Sequence, residues 1–137
     1  MHTPFERRRM EWWFAGVTLG LGLWLFLPWV SMSTAAYSDL LQWLTEEEWA
    51  TIFSLTGTAH MISLYVNGRR WWTPFARAIM LSANSLCYAA LAVGFMAEYW
   101  PTSATFTYGG AMSSAAIICI YYAVKDCVHA LEVRRAA

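Results

Sequence analysis

Charged residues cut the chain into four stretches that carry none, residues 12–38, 49–68, 78–97 and 99–124, and each is at least 20 residues long. A helix rises 1.5 Å per residue, so about 20 residues cross a hydrocarbon core of roughly 30 Å. Inside these stretches there is no strand-like alternation. Leu19 to Val30 is apolar on every side, whereas a barrel strand would alternate over about ten residues. Lipid offers no partner to a free backbone N–H or C=O, so the pattern predicts helices, which satisfy their own. The expectation is an all-α membrane protein: four transmembrane helices in a compact bundle, with spans at about 12–34, 47–67, 75–98 and 103–125, forming a single integral domain over residues 1–137.

Polar residues at the edges of the stretches read as helix starts. Thr3-Pro4-Phe5-Glu6 pairs an N-cap threonine with proline at the first helical position, so a short interfacial turn is expected to lead into the first span. Thr45-Glu46-Glu47-Glu48 is a capping box with carboxylates at the positive end of the second helix. Thr73-Pro74 opens the third, and Thr102 or Ser103 after Pro101 opens the fourth. Between the first two spans, Leu40, Leu41, Trp43 and Leu44 lie among acidic residues, readable as a short amphipathic helix on the outer interface or as a connecting turn. Pro28 is expected to bend or end the first helix.

The charges predict an orientation. All nine basic residues fall in three places: Arg7, Arg8 and Arg9; Arg69, Arg70 and Arg77; and Lys125, Arg134 and Arg135. Four spans put these on one side, opposite Asp39, Glu46, Glu47, Glu48 and Glu98, and lysine and arginine are retained in the cytoplasm. Both termini are therefore expected to be cytoplasmic, in a chain integral to the cytoplasmic (inner) membrane. The run after Arg9 is long and lacks a clean Ala-x-Ala-like cleavage pattern, so it is expected to stay as a span rather than act as a signal peptide. Composition agrees, because 58% apolar against 13% charged residues leaves too little polar surface to coat a soluble globule of this length. Trp12-Trp13, Trp71-Trp72 and Tyr99-Trp100 fall at span edges, where amphipathic rings anchor among headgroups. A net charge of zero asks for no nucleic acid, and membrane lipid is the expected partner.

Helices associate in lipid through close packing and polar contacts, so small residues four apart mark packing faces. Gly16 with Gly20, Gly109 with Ser113 and Gly110 with Ser114 form such pairs, and packing within the bundle is favoured over a dedicated oligomer seam. Thr56, His60, Ser63 and Asn67 share a face of the second span and form a polar stripe around an intramembrane histidine. A neutral His60 hydrogen-bonded to the third span, through Ser82, Asn84 or Ser85, is the favoured reading over a wet path.

No catalytic apparatus is expected: there is no phosphate-binding glycine loop, no HExxH and no serine elbow. One intramembrane histidine cannot supply two haem ligands, and no metal or other cofactor is called for. Cys87, Cys119 and Cys127 are odd in number and lack metal-ligand spacing, so they read as reduced, small apolar residues.

The stretch Leu64-Tyr65-Val66-Asn67-Gly68-Arg69-Arg70-Trp71-Trp72-Thr73-Pro74-Phe75-Ala76-Arg77 resembles the cytoplasmic turn of small four-span membrane proteins encoded by tailed phages and prophages. The likeness extends to Glu48-Trp49, Gly57, and Tyr122 with Asp126. Each residue of the turn also has a topological reason. Asn67-Gly68 turns tightly, Arg69, Arg70 and Arg77 hold the cytoplasmic side, and Pro74 restarts a helix. The resemblance implies a viral source and no defined reaction, and His60 is not carried over from it.

The expected function is that of a non-enzymatic, phage-type inner-membrane protein acting by self-assembly or by association with another membrane protein, with a holin-like role the most concrete form. Two other classes fit the same residues: a small channel or transporter subunit with a polar path at His60, and an accessory subunit of a larger membrane complex.

Overall fold

The computed structural model describes residues 8–29, 32, 37–66, 71–98 and 103–136, and among them there are helices and turns and no strand. The helices are α1 (Arg9–Leu25), α2 (Ser38–Trp43), α3 (Glu46–Val66), α4 (Thr73–Glu98) and α5 (Ser103–Ala136). Two of them, over Thr73–Met96 and Ser103–Ala136, are long and apolar enough to cross a membrane.

The first helix departs from the expected 12–34. It starts earlier, at Arg9, and its 17 residues, about 25 Å, stop at Leu25. Pro28 is the physical reason, since its ring would clash with the carbonyl of Trp24 four residues back. The chain tightens before it arrives: Phe26 N donates to Leu23 O (3.3 Å) and Leu27 N to Trp24 O (3.1 Å). Residues 30, 31, 33 and 34 of the expected span lie outside the described residues, as does Thr3-Pro4-Phe5-Glu6.

The capping box forms. Thr45 N donates to Glu48 Oε2 at 2.7 Å, and Glu48 N to Thr45 Oγ1 at 3.3 Å. Just before it, the acidic segment forms the six-residue α2, with Leu40 buried and Leu41 and Trp43 exposed. Trp49 Nε1 donates to Leu40 O at 3.1 Å and fastens α2 to the start of α3.

The last helix runs past the expected 125 to Ala136, carrying Asp126, His129 and Glu132 on a helical extension. Its N-terminal part contains a π-helical segment, Phe106–Met112. There Ser113 Oγ donates to Tyr108 O at 3.3 Å, a five-residue reach that fits the wider turn. The segment presents the Tyr108 ring parallel to Tyr88 (6.1 Å, 15°) and Phe95 (5.6 Å, 9°) of α4.

α1 packs chiefly on α3, and α4 on α3 and α5. The glycines where α1 and α3 come closest are Gly22 and Gly57, not the Gly16–Gly20 pair. A methyl group on Gly57 would overlap the backbone nitrogen of Leu19, and one on Gly22 would overlap Ser54 and approach Ala50 O within 2.9 Å. Gly16 and Gly20 have nothing within 4 Å of that position and point away from the bundle, so the expectation that they pack within it is corrected. The buried face of α1 carries Phe14, Ala15, Thr18 and Gly22 instead, a run at helical spacing that points away from Gly16 and Gly20. In α5, Gly109 does face α4, with Ala92 Cβ at 3.3 Å, but Gly110 meets only Phe106 of its own helix and Ser114 is exposed. The π turn takes these residues out of the register that four-residue spacing assumes.

Candidate functional site

The inward face of α4 carries Arg77, Leu81, Asn84, Tyr88, Leu91 and Phe95, at spacings of three and four that make one stripe. Three of these side chains are polar and fully enclosed or nearly so, and each meets a polar group from another helix.

At one end, Arg77 is buried and holds Glu11 of α1, Nε to Oε2 at 2.9 Å and Nη2 to Oε1 at 2.5 Å. This fork-to-fork geometry is the strongest arrangement open to the two groups. The remaining terminal nitrogen, Nη1, donates to Asp126 Oδ2 of α5 at 2.8 Å, and the same oxygen accepts from Arg8 Nη2 at 3.3 Å. Two guanidinium groups thus face two carboxylates, and three helices are joined at one point. Sequence spacing places Arg77 in the cytoplasmic turn, and the structure corrects this: the side chain turns inward, where two carboxylates meet it. Glu11 itself, in the first turn of α1, is only 3% exposed. The signal available was an acid within two residues of a basic one at two span ends, Glu11 after Arg9 and Asp126 next to Lys125.

About 10 Å further along α4 lies Asn84, whose Nδ2 is 3.0 Å from His60 Nδ1, both residues fully buried. An amide nitrogen can only donate, so Nδ1 accepts and the ring proton sits on Nε2. His60 Nε2, Asn84 Oδ1 and the Oγ atoms of Ser54 and Ser85 are buried without a partner among the described residues. Of the three α4 residues expected to meet His60, Asn84 does so. Ser82 is exposed and donates to its own helix at Ala78 O (2.9 Å). Thr56 and Ser63 likewise turn back onto α3, to Ile52 O (2.8 Å) and His60 O (2.7 Å). Asn67, Gly68, Arg69 and Arg70 lie outside the described residues, and Pro74 is the half-buried second residue of α4.

Next, the Tyr88 hydroxyl lies 3.3 Å from Thr18 Oγ1, which donates to Phe14 O at 2.8 Å. Beyond Tyr88 the core is aromatic and tight. The space among Leu21, Leu25, Trp49, Phe53, Phe95 and Tyr108 is about 30 Å³, the volume of one water.

Glu11 and Asp126 are both held by Arg77, a guanidinium that keeps its charge. Among the described residues no three His, Cys, Asp or Glu side chains converge on a metal position, and all three cysteines are free thiols. No protein family matches the chain, and neither curated proteins nor solved structures yield a similar one.

Proposed function

We propose that the chain is a four-span protein of the cytoplasmic membrane, with both termini cytoplasmic, that catalyses no reaction and acts by lateral assembly with itself or another membrane protein. An inverted distribution of polarity supports the membrane reading. Leu55, Leu86, Phe106 and Ile117 are 65–75% exposed while Arg77, His60 and Asn84 are 0% exposed. Such a surface is costly in water and suited to lipid, and it includes α3, whose Leu55, Ile62 and Tyr65 face outward.

The observation that carries the assembly reading is the outward face of α1. Gly16 and Gly20 leave open space on the exposed side of α1, which also carries Trp13 and Trp24, and the bundle's own close approach uses other glycines. Two glycines four residues apart on an open helix face let a second helix approach backbone to backbone. The resemblance of the Leu64–Arg77 stretch to phage-type proteins extends the proposal to a holin-like role, in which assembled copies breach the membrane.

Native mass measurement in mild detergent tests the proposal. Gly16→Leu and Gly20→Leu are expected to reduce the assembled fraction, and Leu21→Ala to leave it unchanged. Equal distributions for all three would remove α1 from assembly. Loss of membrane potential on expression of the wild-type chain, abolished by Gly16→Leu, is the outcome expected for the holin-like form.

A further inference from the structure

Around the Arg77 cluster the helices leave a cavity of about 530 Å³, lined by Arg8, Glu11, Arg77, Tyr122, Lys125 and Asp126. We propose that it binds a phosphate-bearing anion presented by the membrane: the phosphodiester headgroup of an anionic phospholipid.

Charge is the first argument. Three cations and two carboxylates line the cavity, and the carboxylates are already engaged. Both Glu11 oxygens accept from Arg77, and Asp126 Oδ2 accepts from Arg77 and Arg8 together. Lys125 is left over. Its ammonium stands 5.6 Å from the Tyr121 ring centroid and meets no carboxylate among the described residues. A group entering the cavity therefore meets an excess positive charge, with Tyr122 on its wall.

Depth is the second argument. The cavity lies where the start of α1, the start of α4 and the charged part of α5 converge. Trp13, Trp71 and Trp72 stand exposed at the same helix starts, and Arg134 of α5 packs over the Trp71 ring at 4.4 Å. Exposed tryptophans at this density mark the headgroup level of a bilayer. Basic pockets between helices on the cytoplasmic side are suited to headgroup phosphates, and this volume lies in the range of ordinary ligand sites. The bilayer also supplies phosphodiesters at the mouth of the cavity in far greater number than any solute. The placement rests on the membrane reading above.

The test is native mass spectrometry of the full chain in mild detergent doped with phosphatidylglycerol or phosphatidylcholine, counting lipids retained. The wild-type chain is expected to keep phosphatidylglycerol in preference. Lys125→Ala, at an exposed position that leaves packing intact, is expected to retain about fivefold less. Arg135→Ala removes the same charge from the same helix outside the cavity and is expected to behave as wild type. Equal loss in both variants, equal retention of the two lipids, or displacement of phosphatidylglycerol by excess inorganic phosphate would each overturn the assignment. Reporter fusions test the topology separately, so failure of the lipid site and failure of the four-span reading give different results.

Discussion

Arg77 grips Glu11 at two points, 2.9 Å and 2.5 Å, across 66 residues of chain, with both side chains almost wholly removed from solvent. A buried ion pair adds little net stability over an apolar pair of similar volume, but removing one partner leaves an uncompensated charge. Arg77→Met should therefore cost about 3–5 kcal/mol, measured by denaturation in mild detergent. Adding Glu11→Leu should recover much of that loss. A double variant as unstable as the single one would show that Glu11 is not the group left stranded.

Gly57 sits against backbone that cannot retreat. Gly57→Ala should cost about 1–3 kcal/mol, because a methyl group there meets the nitrogen and Cα of Leu19 rather than the end of a flexible side chain. Gly16→Ala, in open space on α1, should be neutral or stabilising by up to about 1 kcal/mol through the gain in helix propensity. The same thermal or denaturant series reads both, and a Gly57→Ala variant as stable as wild type would refute the close approach of α1 and α3.

His60 and Asn84 form the middle contact of the polar stripe. Asn84→Leu leaves His60 Nδ1 buried with no donor and should cost about 1–3 kcal/mol. His60→Gln keeps a donor and an acceptor on a side chain of similar reach, so folding and assembly should persist. Proton flux through reconstituted protein should be the same with and without that substitution. A pH-dependent flux that disappears in His60→Gln while assembly stays intact would replace this reading with a proton path.

Features set by a few neighbouring residues were legible in the sequence. The Thr45–Glu48 box needs only four residues, and Pro28 stops α1 through a clash with its own preceding turn. The direction of Arg77 was not legible, because an arginine one turn inside a helix can reach outward to water or inward to a carboxylate. Here the carboxylates are 66 and 49 residues distant in sequence. The same holds for the glycines. Gly16 and Gly20 have the spacing of a packing motif, but the side of α1 that turns into the bundle is the one with Phe14, Ala15, Thr18 and Gly22. The π turn defeats four-residue spacing outright, since it alters the period on which that spacing depends.

Orientation is the remaining prediction, and the structure sharpens how to measure it. Arg8 and Arg77 meet Asp126, and Arg134 covers Trp71, so the starts of α1 and α4 and the charged part of α5 share one end of the bundle. Leu25 to Pro28 and the Thr45–Glu47 segment border a common space at the end of α1 away from Arg8. Lysine and arginine stay on the cytoplasmic side, so the basic end should be the inner one. Reporters fused to either terminus should behave as cytoplasmic, and one inserted near Thr102 as exported. Cysteine labelling provides an independent check, because Cys119 and Cys127 are buried and Cys87 is half-buried, which keeps the native background low. Ser103→Cys should react with an impermeant thiol reagent in intact cells, and Ala136→Cys only after the membrane is opened. Labelling of Ala136→Cys from outside, or a cytoplasmic signal from the reporter near Thr102, would exclude a four-span chain with both ends inside.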